Sequence, residues 1–106
     1  MPGTGPDPLD DEALRQALAD LPGWAPGEGE PREIVKEFRF RDYPDTIAFV
    51  VLLAFAAERA NHHPDLGVHW GRVVVRWSSH DAGGVTNRDL EAAATTDELA
   101  AGRTKT

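Results

Sequence analysis

The 106-residue sequence predicts an α+β domain in the order helix, strand, strand, helix, strand, strand, helix, with a four-stranded antiparallel sheet covered by helices on one face. Three observations predict this fold. Segments 33–41 and 72–78 alternate apolar and charged residues, as half-buried strands do. The apolar run 47–57 is typical of a buried helix. Capping sequences at 42–45 and 86–89 mark the starts of two helices.

The first predicted helix begins at Asp10, a favourable N-cap residue, and runs to about Asp20. Pro22 and Gly23 then end it. The apolar residues of this helix fall on one side at helical spacing: Leu14, Ala17, Leu18 and Leu21. Trp24 begins a first strand that we expect to be irregular, because prolines and glycines interrupt it: Pro26, Gly27, Gly29 and Pro31.

The second predicted strand covers residues 33–41, and the long helix follows it directly. Asp42 caps this helix, with Pro44 in its first turn and Asp45 three residues after the cap. The helix should run to about Asn61. In the strand before it, two sets of side chains point to opposite faces, one apolar and one charged: Ile34, Phe38 and Phe40 against Glu37, Arg39 and Arg41.

Two more strands and a last helix complete the predicted fold. Residues 66–70 form a short third strand and residues 72–78 a longer fourth one. Gly83 and Gly84 break the chain, and the capping box at 86–89 opens a helix that reaches about Ala101. The fourth strand presents apolar residues inward and arginines outward: Val73, Val75 and Trp77 against Arg72 and Arg76.

The chain is expected to form one domain over residues 9–101, with a disordered tail at 1–8 and a frayed end at 102–106. The first residues are rich in Pro, Gly and Asp, and lack the basic start and apolar stretch of a signal peptide. Run 47–57 is shorter than the roughly 18 residues that cross a bilayer. A cytoplasmic location is therefore expected.

Charge and composition narrow the choice of partners. The net charge of −7 disfavours direct binding to nucleic acid or to an anionic membrane, because both would be repelled over most of the surface. Cysteine is absent, which excludes disulfides, thiolate catalysis and cysteine-ligated zinc.

The long helix predicts self-association. Because run 47–57 is apolar on nearly all sides, it carries more apolar surface than one small sheet can cover. We therefore expect a homodimer or a homotetramer. The alternative is that the alanines of this helix are tolerated on its surface, since alanine is a good helix former anywhere.

Two adjacent histidines, His62 and His63, lie where the long helix should end. Pro64 disfavours the helical conformation at His63, which places His62 at the helix C-terminus and His63 in an extended link. Their side chains should then point in different directions. The negative end of the helix dipole favours the protonated form of His62, which would make it a better acid near neutral pH. A C-cap or surface pair is the alternative interpretation.

Further residues can join this pair. His80 follows an inward-packed strand, so the fold can place it beside the two histidines, although an ordinary strand-end histidine is the alternative. Helix capping alone explains the presence of Asp89, and no catalytic role is needed for it. His69 is expected to face solvent. Trp24 and Trp70 fit the core or an interface, and either can also form a wall for a flat ligand.

A zinc site is a rival interpretation of the same residues. The four histidines and nearby aspartates offer suitable ligands, but adjacent residues seldom bind one metal ion. Neither a His-Glu-x-x-His helix nor a cysteine pair is present. We therefore expect no metal.

Segment 49–89 resembles the pterin-4a-carbinolamine dehydratase family, also known as the dimerisation cofactor of a homeodomain transcription factor. Gly23-Trp24 and Phe38-Arg39-Phe40 extend the similarity upstream, to about residues 14–94. The matching residues of the segment itself are Ala57-Glu58, His62-His63-Pro64-Asp65, Trp70, Val73-Val74-Val75, His80-Asp81, Gly83-Gly84-Val85-Thr86 and Asp89.

The resemblance implies an enzyme that removes water from 4a-hydroxytetrahydropterin and yields quinonoid dihydropterin, without a cofactor and without redox change. One proton must reach the departing hydroxyl at C4a and one must leave ring nitrogen N5, a task suited to histidines. The resemblance implies acid/base roles for His62 and His80 and an orienting role for His63. It also implies substrate-binding or orienting roles for three further residues: Asp89, Pro64 and Trp24.

The second hypothesis is a binding module without catalysis. The resembled family also includes members that bind a transcription factor through helical surfaces. Because every histidine of the motif is present, the enzymatic hypothesis is preferred.

Overall fold

The structure is a computed structural model and describes residues 7–104. The strands form one antiparallel sheet in the order β1-β2-β4-β3, and the helices cover one of its faces. The predicted α+β fold is therefore confirmed. The elements follow one another along the chain as α1 (Asp11–Leu18), β1 (Ala25–Pro26), β2 (Ile34–Arg39), α2 (Tyr43–Ala60), β3 (Asp65–His69), β4 (Arg72–Trp77) and α3 (Asn87–Ala100).

The boundaries differ most from the prediction in the first third of the chain. Helix α1 ends at Leu18, two residues before the predicted Asp20. Strand β1 has only two residues, and it pairs with the start of β2. The Gly27 N–H still donates to the Glu33 carbonyl at 2.8 Å, and the strand then ends in segment 27–31, which contains two glycines and a proline.

The apolar face of the sheet and two helices enclose the core. Strands β2 and β4 pair so that Phe38 lies opposite Val73 and Ile34 opposite Trp77, all on this face. Phe49 of α2 packs on the sheet, with its ring centroid 5.2 Å from that of Phe38. Fully burying a side chain of this kind stabilises the fold by about 1.5–3 kcal/mol. The other face is charged, as predicted.

Helix α2 begins and ends as its sequence indicates. The Asp42 side chain accepts a hydrogen bond from the Asp45 N–H at 2.9 Å. At the other end, Asn61 adopts left-handed backbone angles, φ 51° and ψ 42°. The His62 N–H donates to the Ala57 carbonyl at 3.1 Å. This turn directs the chain away from the helix axis at His62.

The two ends of the described chain are both hydrogen-bonded. The Leu9 N–H donates to the Val85 carbonyl at 2.8 Å, and the Arg103 N–H donates to the Ala100 carbonyl at 3.0 Å. Residues 1–6 of the predicted tail and 105–106 of the predicted frayed end lie outside the described residues. Within residues 7–104, no helix combines the length and hydropathy needed to cross a membrane.

A second group of side chains, around Asp97, is hydrogen-bonded beside β2. The Trp24 indole N–H donates to the Asp97 carboxylate at 3.1 Å, and Lys36 Nζ donates to the same carboxylate at 2.8 Å. Lys36 also donates to the Pro22 carbonyl at 3.0 Å. Asp97 therefore joins α3 to β2 and to the segment that precedes β1.

We expect Asp97→Ala to lower the free energy of unfolding by about 1–3 kcal/mol, because the indole N–H would lose its acceptor and the ammonium its anionic partner. Urea denaturation measures the effect. Glu98→Ala, an exposed neighbour on the same helix, is the control and should change stability by less than about 0.5 kcal/mol. Equal effects of the two substitutions would contradict the bridging role of Asp97.

Candidate active site

His62 lies at the end of α2 and is only 9% exposed. Its Nε2 is 2.6 Å from Oδ1 of Asp89 on α3. The imidazole stacks on the Trp77 ring of β4, with centroids 5.1 Å apart and planes inclined by 29°. Three different elements therefore hold the ring of this histidine.

Asp89 is fully buried, and both of its carboxylate oxygens are engaged. Oδ1 faces His62, while Oδ2 accepts hydrogen bonds from the Ser79 hydroxyl at 2.7 Å and from the Thr86 N–H at 2.9 Å. The Thr86 contact belongs to the predicted capping box of α3. One side chain thus caps a helix and orients a histidine.

The surroundings of Asp89 make its burial tolerable. An ionised carboxylate in an apolar interior is very costly unless it is paired and hydrogen-bonded. Here it has three donors, and it lies at the positive N-terminal end of α3. Within residues 7–104, every buried side-chain nitrogen or oxygen has a hydrogen-bond partner. His62, Asp89, Ser79 and Thr86 thus form one hydrogen-bonded cluster, in which the charge of Asp89 is fully compensated by hydrogen bonds.

Arg88 engages the second ring nitrogen of His62. Its Nη2 lies 3.2 Å from Nδ1, and its Nη1 lies 3.1 and 3.3 Å from the two carboxylate oxygens of Asp81. Both nitrogens of His62 therefore have protein partners. The sequence predicted a histidine poised at a helix end, whereas the structure shows one held between a carboxylate and a guanidinium.

A cavity of about 220 Å³ opens between α2 and α3 next to this cluster. His62 and Arg88 lie in its wall, together with the carboxylate-bearing Glu91. The remaining lining residues are mainly apolar: Leu53, Ala56, Ala57, Ala60, Trp77, Ala92 and Thr95. A mostly apolar cavity with a few polar groups at one side is typical of a small-molecule site.

The other predicted histidines lie outside the cavity wall. His63 is exposed, and its Nε2 is 2.9 Å from Oε1 of Glu58. Pro64, which follows it, is partly buried. His80 is exposed in the turn after Ser79, a residue whose own hydroxyl reaches the cluster. His80 is therefore next to a member of the cluster in the sequence, but its own side chain is exposed to solvent.

The tryptophans separate into different surroundings. Trp24 is buried against Phe38 and bonded to Asp97, and it does not line the cavity beside His62. Trp70 is exposed at the end of β3, next to the exposed His69. The structure thus does not bring Trp24 to the candidate site.

The described residues also bear on metal binding. Within residues 7–104, no three His, Asp or Glu side chains are grouped as ligands for one metal ion. The carboxylate nearest to His62 is that of Asp89, and it also accepts hydrogen bonds from the Ser79 hydroxyl and the Thr86 N–H.

Sequence reasoning missed two members of the cluster. Arg88 lies inside the capping box that was recognised, but nothing in that motif indicates that its side chain turns toward His62. Nothing in the sequence marks Ser79 as a hydrogen-bond donor to Asp89, because a buried serine next to a strand is common. Trp77 was predicted to face inward, and stacking on His62 is one outcome of that orientation.

The fold and the cluster together define a class: a small α+β protein with a buried histidine–carboxylate pair beside a cavity. A family model described as Pterin 4 alpha carbinolamine dehydratase matches residues 7–99. The chain belongs to this family of hydro-lyases, as the resemblance in its motifs indicated.

Relatives and solved structures agree with this assignment. A Stenotrophomonas maltophilia protein whose name places it in the family is 46% identical over 100 residues, which are 93% of this chain and 85% of the relative. A Roseiflexus castenholzii relative named in the same way is 44% identical over 91 residues, 86% of this chain and 95% of the relative.

The crystal structure of a transcriptional coactivator/pterin dehydratase from Brucella melitensis superposes with a TM-score of 0.83 at 30% identity, covering 89% of this chain and 99% of that one. A pterin dehydratase-like protein identified as a RuBisCO assembly factor in the alpha-carboxysome superposes with a TM-score of 0.64 at 28% identity. That match covers 74% of this chain and 90% of the other.

Proposed function

We propose that this protein removes water from 4a-hydroxytetrahydropterin to give quinonoid dihydropterin, and so supports pterin recycling. The observation that carries the proposal is the buried pair of His62 and Asp89 beside a small cavity, in a chain of the pterin dehydratase family. The reaction needs only proton transfers, which a positioned histidine performs near neutral pH.

The pterin ring is proposed to enter the cavity between α2 and α3. Its volume of about 220 Å³ lies below the roughly 300–1,000 Å³ of pockets that bind drug-sized ligands, which suits a small bicyclic ring. Arg88 and Glu91 provide a donor and an acceptor in the wall for the polar edge of such a ring. His62 would meet the reacting C4a–N5 edge.

The exposed histidines fit a second role in the same reaction. His63 and His80 are open to solvent and can exchange protons with it. We propose that His80 assists as the partner acid or base and that His63, which is bonded to Glu58, orients the substrate. Asp89 orients His62, and Pro64 fixes the backbone between the two adjacent histidines.

The decisive experiment follows the dehydration of freshly generated 4a-hydroxytetrahydropterin by absorbance, with and without the protein. The wild-type protein should accelerate the reaction in proportion to its concentration, and dialysis against EDTA should leave the rate unchanged. Glu98→Ala, on the surface of α3, is the matched control and should equal the wild type. A wild-type rate equal to that of buffer alone would overturn the proposed function.

A non-catalytic binding module is the second candidate function. It is favoured by one observation, namely that the fold is shared with a pterin dehydratase-like protein described as a RuBisCO assembly factor. In that case the histidine cluster would serve stability alone. Wild-type and His62→Ala proteins would then have the same background rate in the dehydration assay.

We further propose that the protein is a homodimer or homotetramer that associates through the outer surface of α2. Phe55 is 63% exposed and Val51 is 46% exposed, and their spacing of four residues places them on one side of this helix. Large apolar side chains grouped on a surface are typical of interaction sites.

Phe55→Glu is expected to shift the protein toward monomers, because a charge at the centre of an apolar contact would have to be desolvated. Size-exclusion chromatography with light scattering measures the mass of each form. Gln16→Glu, which adds the same charge on the exposed surface of α1, should leave the mass unchanged. A wild-type protein that is strictly monomeric would contradict the proposal.

A further inference from the structure

Three polar side chains follow one another along one side of the cavity. Arg88 and Glu91 are three residues apart on α3, so they lie on the helix face that lines the cavity, with Cβ atoms about 5–6 Å apart. His62 contacts Arg88 at the start of this helix, since Nη2 of Arg88 lies 3.2 Å from Nδ1 of the imidazole. The polar side of the cavity therefore runs in the order His62, Arg88, Glu91.

The Glu91 carboxylate is free to bind a ligand. The residue is exposed, yet its side chain lines the cavity, which places it at the cavity mouth. Within residues 7–104, no ion pair or side-chain hydrogen bond involves Glu91, and the cation of the same wall, Arg88, pairs with Asp81 instead. Both carboxylate oxygens of Glu91 can therefore accept hydrogen bonds from a ligand.

Arg88 retains hydrogen-bond donors for the same ligand. A guanidinium carries five N–H groups, of which two lie on each Nη and one on Nε. Nη1 contacts the Asp81 carboxylate, and Nη2 contacts His62 through one of its hydrogens. These contacts leave the Nε N–H and one N–H of Nη2 without a partner among the described residues. Helix α3 thus offers the cavity a donor and, one turn further on, two acceptors.

This order is complementary to one edge of a pterin ring. Along that edge, the 4-oxo oxygen is an acceptor, and N3–H and the 2-amino group are two adjacent donors. An N–H of Arg88 fits the oxo oxygen, and the two oxygens of Glu91 fit the paired donors, as carboxylates do for parallel N–H groups. The C4a–N5 side of the ring borders the 4-oxo group, so this orientation turns it toward His62, the neighbour of Arg88.

We propose that Glu91 is a specificity-determining residue, which selects a 2-amino-4-oxo ring over a 2,4-dioxo ring by accepting hydrogen bonds from N3–H and the 2-amino group. The inference rests on the proposed function, which places the pterin ring in this cavity. In a 2,4-dioxo ring, an oxygen replaces the amino group and would face a carboxylate oxygen with no hydrogen between them. Such a contact weakens binding, because both acceptors lose water and gain no partner.

Isothermal titration calorimetry with two stable rings tests this proposal. The first ring, 7,8-dihydropterin, has the 2-amino-4-oxo pattern, and the second, 7,8-dihydrolumazine, has an oxo group at position 2. The wild-type protein should bind dihydropterin at least about tenfold more tightly, because a hydrogen bond to a charged group is usually worth that much. In Glu91→Gln, the preference should fall to about twofold or reverse, because the amide N–H can donate to the 2-oxo oxygen.

Two further variants make the result specific to the Glu91 carboxylate. Glu91→Asp keeps the charge on a shorter side chain, and should keep the preference for dihydropterin while binding it more weakly. Glu98→Gln makes the same change of charge on α3 outside the cavity wall, and should keep the wild-type ratio of affinities. Equal wild-type affinities for the two rings, binding of neither ring, or an unchanged ratio in Glu91→Gln would overturn the proposal.

The titration requires no turnover, so its failure is distinguishable from failure of the proposed function. A protein that binds with the expected preference but does not dehydrate 4a-hydroxytetrahydropterin keeps the recognition role of Glu91 and loses the enzymatic function. A protein that dehydrates this substrate, but whose Glu91→Gln variant keeps the wild-type ratio, keeps the function and loses the recognition role.

Discussion

Replacing His62 with alanine is expected to lower the dehydration rate by about 10²- to 10⁴-fold, the usual contribution of a general acid or base. The substitution removes the one ring that is stacked on Trp77, bonded to the buried Asp89 and open to the cavity. Stopped-flow absorbance with freshly generated 4a-hydroxytetrahydropterin measures kcat and KM. We expect the loss to lie in kcat, because a general acid or base acts in the transition state.

Two further substitutions make this result specific. His69→Ala removes an exposed histidine on β3 and should keep the wild-type rate. His80→Ala tests the proposed partner and should also reduce kcat. Circular dichroism must show that each variant is folded under the assay conditions. A folded His62→Ala protein with the wild-type kcat would rule out His62 as a general acid or base.

Replacing Asp89 with alanine should produce the largest loss of stability, about 3–5 kcal/mol in the free energy of unfolding. The carboxylate is fully buried and accepts from His62, from the Ser79 hydroxyl and from the Thr86 N–H. Its removal leaves three buried donors without their acceptor and takes away the Asp89 half of the capping box of α3. Urea denaturation followed by tryptophan fluorescence measures this change.

Asp89→Asn separates charge from shape, because the amide keeps the size of the side chain and one acceptor oxygen. It should cost less stability than alanine and still reduce kcat, since the orientation of His62 is lost. Glu98→Asp, a conservative change on the exposed side of the same helix, is the stability control. A loss below about 1 kcal/mol for Asp89→Ala would show that the network is not the stabilising unit described above.

Local sequence patterns account for most of the fold. Asp42 and Thr86 cap their helices as predicted, because a capping side chain acts on backbone groups within three residues of itself. The alternation in β2 predicted which of its faces is buried, since side chains of a strand alternate between the two sides. The short β1 was harder to predict, because the pairing of its two residues depends on β2 as much as on its own sequence.

The candidate site was predictable in part. His62 was recognised from its position before Pro64, and Asp89 from its place in the capping box. Their contact, however, joins residues 27 positions apart and arises only when α2 and α3 pack together. The same packing brings Arg88 to Nδ1, and no periodicity or motif records the direction of an arginine side chain.

By itself, the sequence determined the order of helices and strands, their caps, the buried faces, and the family to which the chain belongs. All of these depend on spacing along the chain, which the sequence displays directly. Only the tertiary structure decided which atoms of His62 face Asp89 and Arg88, that Trp24 lies apart from the cavity, and that His63 and His80 face solvent. The physical reason is that the hydrogen bonds of a side chain are decided by its neighbours in space, and these come from elements distant in sequence.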